Sequence, residues 1–342
     1  MGHHIARLTL LLGSWHVFLW CCQTAFTGPS RAESRSSSAC TLCRVRERRK
    51  TARGKGLDKQ LNPQQITLRI TQAASASEVL GVVREQQRNP KLDFIAVSAA
   101  WHKMANLQHS VSAEVLRDSF LMEFVGLTGQ MAVRAQAEAN RNARAVASIY
   151  WAVVQLEPYM SSQLKSLQAS LGAAAKKTAA HMKAQEVANT IWAAAKLSET
   201  GDISLLVALP SLVERVKEVK SEMKAQEVSN VIWAAAKLSE VEADDSLLAV
   251  LPALAERVQE VILAMKAQEV SNSIWATAKL RESGDDSLLL VLPVLVERAK
   301  SVRPQMIPQH ITMTRWAVEV FSHDARLADT VQTLQMLLPQ SR

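Results

Sequence analysis

A tryptophan recurs through most of this chain at a nearly fixed interval. Trp192, Trp233, Trp275 and Trp316 follow Trp151 at steps of 41, 41, 42 and 41 residues, with Trp101 further upstream. A period of this length marks stacked helical pairs, each too small to bury its own apolar face, so that contact between neighbouring copies supplies the core. The text around the tryptophan repeats with it. Residues 183–199, Lys-Ala-Gln-Glu-Val-Ala-Asn-Thr-Ile-Trp-Ala-Ala-Ala-Lys-Leu-Ser-Glu, return at 224–240 with two changes in 17 positions, and a third copy occupies 266–282. The expected fold is all-α: a right-handed-type α-solenoid of helical-pair repeats with a period of about 41 residues.

Each copy divides into two helical parts. The first, near 184–197, is rich in Ala and carries Glu186 in its opening turn, where a carboxylate suits the positive end of the helix dipole. An acidic break follows, with Asp202, then Asp244 and Asp245, then Asp285 and Asp286, at positions expected to cap a helix. The second part contains Pro210, Pro252 and Pro293, each followed by a Glu-Arg pair (214–215, 256–257, 297–298). Proline removes a backbone donor and clashes with the preceding turn, so a kink or restart is expected there.

The pattern sets the organisation of the chain. Sharp copies span 183–223, 224–265 and 266–308, within an array of 144–342 whose last segment, 309–342, reads as a C-terminal cap repeat. Residues 57–143 read as degenerate N-terminal repeats, with Ser75-x-x-Glu78 as a capping box and Asn89-Pro90 as a break.

Charge separates this body from what precedes it. Ten of the 40 Lys and Arg but only two of the 32 Asp and Glu lie in residues 1–56, so this segment holds the whole net charge of +8 and the body balances to zero. Residues 1–25, with an apolar run from Leu8 to Trp20, read as a signal peptide, and 26–56 as a basic, acid-poor, transit-peptide-like disordered segment. The apolar run is too short to span a bilayer. Two targeting signals in series, with Phe26 after a small-residue cleavage site, resemble the bipartite leaders of algae whose plastids lie inside extra membranes, dinoflagellates above all. A plastid destination is expected, with the mitochondrion as the alternative and no membrane attachment of the mature form. All four cysteines lie in the leader, so the body has no thiol chemistry. Cys40 and Cys43 have the spacing of half a zinc site without a second half.

On a helical wheel, Val187, Ala188, Ile191, Ala194 and Ala195 form an apolar arc with Trp192 at its edge. Beside it, Gln185, Asn189, Trp192 and Lys196 share one stripe, because offsets of 4, 7 and 11 residues return to nearly the same angle. The stripe recurs as Gln226, Asn230, Trp233 and Lys237, and as Gln268, Asn272, Trp275 and Lys279. Lys183, Lys224 and Lys266 add a second ammonium at the start of each copy. These fifteen residues are the candidates for contact with single-stranded RNA: lysines for phosphates, amides and indoles for bases. A packing role for the tryptophans and a solvated face for the lysines are the competing expectations.

The string 184–197 resembles the Pro-Gln-x-Leu-Ala-Asn-x-Leu-Trp-Ala-Leu-Ala-Lys-Leu core of octatricopeptide repeats, which are related to the leucine-rich repeats of FAST kinase-like organelle proteins. The likeness covers residues 183–300 and fades outside them. It implies an α-solenoid that binds organellar RNA and influences its stability, processing or translation. The period here is longer than that family's usual repeat, and the residues after Trp316 do not resemble the RAP domain that ends many relatives.

In modular RNA readers the base-choosing positions differ between repeats. Here the variable positions are Thr190, Val231 and Ser273, then Ala194, Ala235 and Thr277, then Ser198, Ser239 and Arg281, which are mostly small. Little sequence preference is expected. No glycine-rich phosphate loop, nucleophile motif or metal spacing occurs, so neither catalysis nor a cofactor or metal is expected. A protein-binding scaffold of the HEAT or armadillo kind, serving protein partners without RNA, is the alternative function, since a neutral solenoid needs no basic charge to bind proteins.

Overall fold

The computed structural model describes residues 61–241 and 244–338, all of it helices and connecting turns with no strand among the described residues. The expected signal and transit segments, 1–25 and 26–56, and the four cysteines lie outside them. The described residues, from Leu61 onward, group into one compact unit.

The unit opens with α1 (Pro63–Gln72), α2 (Ala76–Gln86), α3 (Phe94–Asn106), α4 (Ala113–Arg117) and α5 (Ser119–Ala135). Asn62 and Gln65 close a capping box over α1, whose first residue is Pro63. The expected cap at Ser75 forms, accepting from the Glu78 amide at 3.2 Å, but the Glu78 carboxylate reaches one residue further back, to the Ala74 amide at 2.8 Å. Asn89 ends this region as a buried tie, donating to the Leu61 carbonyl at 2.8 Å. Trp101 is fully buried, stacked 4.8 Å from Phe124, and donates its indole N–H to the Thr128 hydroxyl at 2.8 Å.

The long α6 (Ala139–Thr178) contains Pro158 and turns non-helical at Met160 (φ −145°, ψ 37°), so it is two helices joined at a kink. Beyond it come α7 (Ala184–Ser198), α8 (Leu209–Val219), α9 (Ala225–Glu240), α10 (Leu251–Val261), α11 (Ala267–Glu282), α12 (Leu292–Val302), α13 (Pro308–Phe321) and α14 (Ala328–Leu337). The first helices lie against one another in chain order, α6 on α7, α7 on α9, α9 on α11 and α11 on α13. A second layer covers them, with α8 on α7, α10 on α9 and α12 on α11.

The prolines act as restarts. A 3-10 turn at Leu206–Ala208, Ser246–Val250 or Leu289–Val291 precedes each second helix, which then begins one residue before Pro210, Pro252 or Pro293. The acidic breaks cap a turn and not a helix. Asp202, Asp244 and Asp285 accept from the backbone amide two residues on, at 2.9, 2.7 and 2.8 Å, and the turn follows.

The apolar arc of the first helix is buried as expected, and burial extends past it to Asn189, Thr190 and Trp192. A helix flanked on both sides and covered by a second layer has only a narrow strip left to face water. Two further contacts fix each pair. Met182, Met223 and Met265 are fully buried just before α7, α9 and α11, each contributing about 2 kcal/mol by burial. Their carbonyls accept from the Nε of Arg215, Arg257 and Arg298 at 2.7, 2.9 and 2.9 Å. The Arg of each Glu-Arg pair thus ties the second helix to the start of the first.

Candidate nucleic-acid interface

The stripe begins at an N-cap. Lys183, Lys224 and Lys266 sit there with extended backbone, and each backbone amide donates to the carboxylate three residues on, Glu186, Glu227 or Glu269, at 2.9, 2.6 and 2.7 Å. A lysine side chain offers no acceptor, so the glutamate arm alone makes this cap. The ammonium groups are exposed and make no ion pair among the described residues.

Two sets of contacts show that the helices run parallel and in register. Near the start, the Ser229 hydroxyl of α9 donates to the Glu269 carbonyl of α11 at 3.1 Å. Near the end, Lys237 of α9 lies 3.3 Å from Glu199, the residue that caps α7. Equivalent positions therefore fall in rows across α7, α9 and α11.

The row of Lys196, Lys237 and Lys279 is built differently from the Lys183 row. Each lysine pairs with the glutamate three residues on: Lys196 with Glu199 at 2.9 Å, Lys237 with Glu240 at 2.8 Å and Lys279 with Glu282 at 3.1 Å. Each glutamate but the last also takes the lysine of the next copy, Glu199 with Lys237 and Glu240 with Lys279, both at 3.3 Å. The ammonium groups cover the tryptophan of the following copy, Lys196 over Trp233 at 4.6 Å, Lys237 over Trp275 at 4.9 Å and Lys279 over Trp316 at 4.3 Å from the ring centroids. The indoles themselves approach edge-tilted, Trp233 to Trp275 at 6.5 Å and Trp275 to Trp316 at 6.1 Å.

This ladder shifts its own titration. Burial lowers the Lys237 pKa, but Glu199 and Glu240 raise it further, so it ends above the ordinary lysine value. Burial raises that of Glu240, while Lys237 and Lys279 outweigh it and hold the carboxyl below the ordinary value.

The remaining members of the stripe divide by burial. Asn189 and Asn272 are buried and Asn230 half-buried, with no hydrogen bond from their amides among the described residues. Gln185, Gln226 and Gln268 are half-buried, and Trp192, Trp233 and Trp275 are buried. Sequence reasoning did not identify Glu199, Glu240 and Glu282 as ladder partners, nor the arginine ties. The Lys-x-x-Glu spacing at 196–199, 237–240 and 279–282 was the signal for the first. Among the described residues no group of three or more His, Cys, Asp or Glu is placed to hold a metal ion, and no helix is long and apolar enough to cross a membrane.

Comparison with known protein families finds no matching family model, and comparison with curated proteins finds no match.

Proposed function

We propose that this chain is an α-solenoid with a repeat of about 41 residues that binds single-stranded organellar RNA, in a plastid or alternatively a mitochondrion, and acts on RNA stability, processing or translation. One observation carries the reading. Among the described residues an exposed ammonium without an ion partner recurs at Lys183, Lys224 and Lys266, at the same end of three parallel neighbouring helices, and each is followed on its helix by the half-buried amide of Gln185, Gln226 or Gln268. Phosphates would follow the lysine row, and the amides would meet the bases. The Lys196 row already has carboxylates and indoles as partners, so its part would be to hold the helices in register.

The test is a titration of the whole chain with fluorescent single-stranded RNA over a range of salt concentrations. Each phosphate contact contributes a slope of about −0.7 in log affinity against log salt. Replacing Lys183, Lys224 and Lys266 by alanine together should flatten the slope by about 2 units. No binding at low salt, or a slope indifferent to the triple substitution, overturns the proposal.

A protein scaffold is the second reading, and an exposed apolar row on the second layer favours it. Val207 and Leu290 hold equivalent places before α8 and α12, half or more exposed, and Ile203 and Val294, each four residues from one of them in sequence, are exposed as well. A scaffold would bind its partner with little dependence on salt and would ignore the triple lysine substitution.

A further inference from the structure

The Lys-Glu ladder is one cation short at its C-terminal end. In α13 the position four residues after the tryptophan, held by Lys196, Lys237 and Lys279 in the earlier copies, is Val320, and the position of the following glutamate is His323. Glu199 and Glu240 each hold two ammonium groups, one from their own helix and one from the next. Among the described residues Glu282 holds only its own, Lys279 at 3.1 Å. Trp233 has the ammonium of its own helix, Lys237, 5.9 Å from its ring as well as that of Lys196. Among the described residues Trp316, like Trp275, has the ammonium of the preceding copy alone, Lys279, and it is half-buried where the earlier indoles are buried.

The place where the missing ammonium would sit is an open cleft. It measures about 400 Å³ and is lined by Glu282, Trp316, Glu319, Val320, His323 and Arg281. Arg281 does not fill the role, because its guanidinium turns to Asp286 at 2.6 Å and to Asp324. Glu319 adds a second exposed carboxylate with no ion pair among the described residues. Inside the array Lys237 is held by Glu199 and Glu240 and lies over Trp275 of the following copy, with Trp233 of its own helix 5.9 Å away; the cleft repeats the carboxylate of the preceding copy, Glu282, and the indole of the same helix, Trp316.

We infer that this cleft binds the side-chain ammonium of a lysine presented by a partner protein, which continues the ladder by one rung. The ammonium takes the second place on Glu282 and lies against Trp316, and the lysine stem runs over Val320. The guest is a lysine and not an arginine because the sites it continues are filled by lysine in every copy. This docking does not depend on RNA binding and holds whether or not the Lys183 row meets phosphates.

The test follows the indole N–H resonances of the whole chain by NMR, with Trp316 assigned from a Trp316→Phe variant. The titrant is Nα-acetyl-lysine N-methylamide, and the control is the norleucine derivative, which has a stem of similar length and no charge. The expected result is a saturable shift of Trp316 with about tenfold stronger binding of the lysine derivative, the sum of one exposed ion pair and one cation–π contact. Glu282→Gln should remove most of that preference. Val320→Lys should abolish the shift, since the chain then supplies its own ammonium. An equal response to norleucine, a shift that survives both substitutions, or no response of Trp316 would each overturn the assignment.

Discussion

Substitution of Lys237 by methionine isolates what the ladder contributes to stability. Methionine keeps an apolar stem over Trp275 and removes the charge, so packing is largely retained. Lys237 lies 3.3 Å from Glu199, 2.8 Å from Glu240 and 4.9 Å from the Trp275 centroid. Its side chain is 16% exposed, which places the pairs between the surface and the interior. Surface ion pairs give about 0.2–1 kcal/mol each and a cation–π contact about 0.5–1, so the three together give about 1–3 kcal/mol. The loss stays below the 3–5 kcal/mol expected when a buried ion pair loses one partner. The reason is that neither carboxylate is orphaned: Glu199 keeps Lys196 at 2.9 Å and Glu240 keeps Lys279 at 3.3 Å.

The assay is urea unfolding at pH 7. With an m-value of about 3 kcal/mol/M, the midpoint should fall by about 0.3–1 M. Lys183→Met is the matched control, the same substitution at an exposed lysine that makes no ion pair among the described residues, and should stay within about 0.5 kcal/mol of the parent. If the two variants shift the midpoint equally, the distinction drawn between the two lysine rows is wrong.

Three further substitutions probe other joints. Arg257→Ala leaves the Met223 carbonyl without its side-chain donor and should cost about 1–2 kcal/mol in the same urea assay, whereas Glu260→Ala, which removes only an exposed partner of Arg257, should cost less than about 0.5. Gly172→Ala would place a Cβ 2.4 Å from the Ser204 carbonyl oxygen, so a net loss of about 1–2 kcal/mol is expected although alanine favours the helix by about 1; a gain in thermal midpoint would refute the close approach. Glu240→Gln should destabilise at pH 7. Because the folded carboxyl titrates below its ordinary value, the stabilisation is present above about pH 4.3 and lost as the pH falls through the folded value, so the gap between variant and parent should close on acidification in that window and not on raising the pH.

Much of the local structure was legible because it is written within one helix. The alanine-rich arc, the restart at Pro210 and the glutamate at the third helical position all act over four residues or fewer. The joints that set one element against another were not, since they link distant residues. Arg215 reaches back to Met182, and Glu199 reaches forward to Lys237 in the next copy. A wheel drawn for one helix places Lys196 on a polar stripe and cannot show that a neighbouring carboxylate and indole share that stripe. Two lysines of one repeat thus look equivalent in sequence, while their surroundings differ: Lys183 faces water, and Lys196 lies 2.9 Å from Glu199 and over Trp233.

The same packing limits how an RNA could be read. Of the variable positions, Thr190, Val231 and Ser273 are buried, and so are Ala194, Ala235 and Thr277. The hydroxyls among them turn inward, Thr190 to the Glu186 carbonyl, Ser273 to Glu269 and Thr277 to Ser273, each at 2.8 Å. Arg281 is drawn to Asp286 and Asp324. In the first helices the positions that differ between copies are thus mostly withdrawn from the surface, while Lys183, Lys224 and Lys266 reach it alike in every copy. Stacking a base on Trp275 would require moving Lys237 off the ring and away from two carboxylates, at the cost estimated above for Lys237→Met, against about 1–3 kcal/mol gained per stacked base. The exchange comes out near balance, so the indoles are poor anchors. An RNA on this surface would meet a uniform row of ammonium and amide groups, which measures backbone charge and spacing and discriminates little between bases.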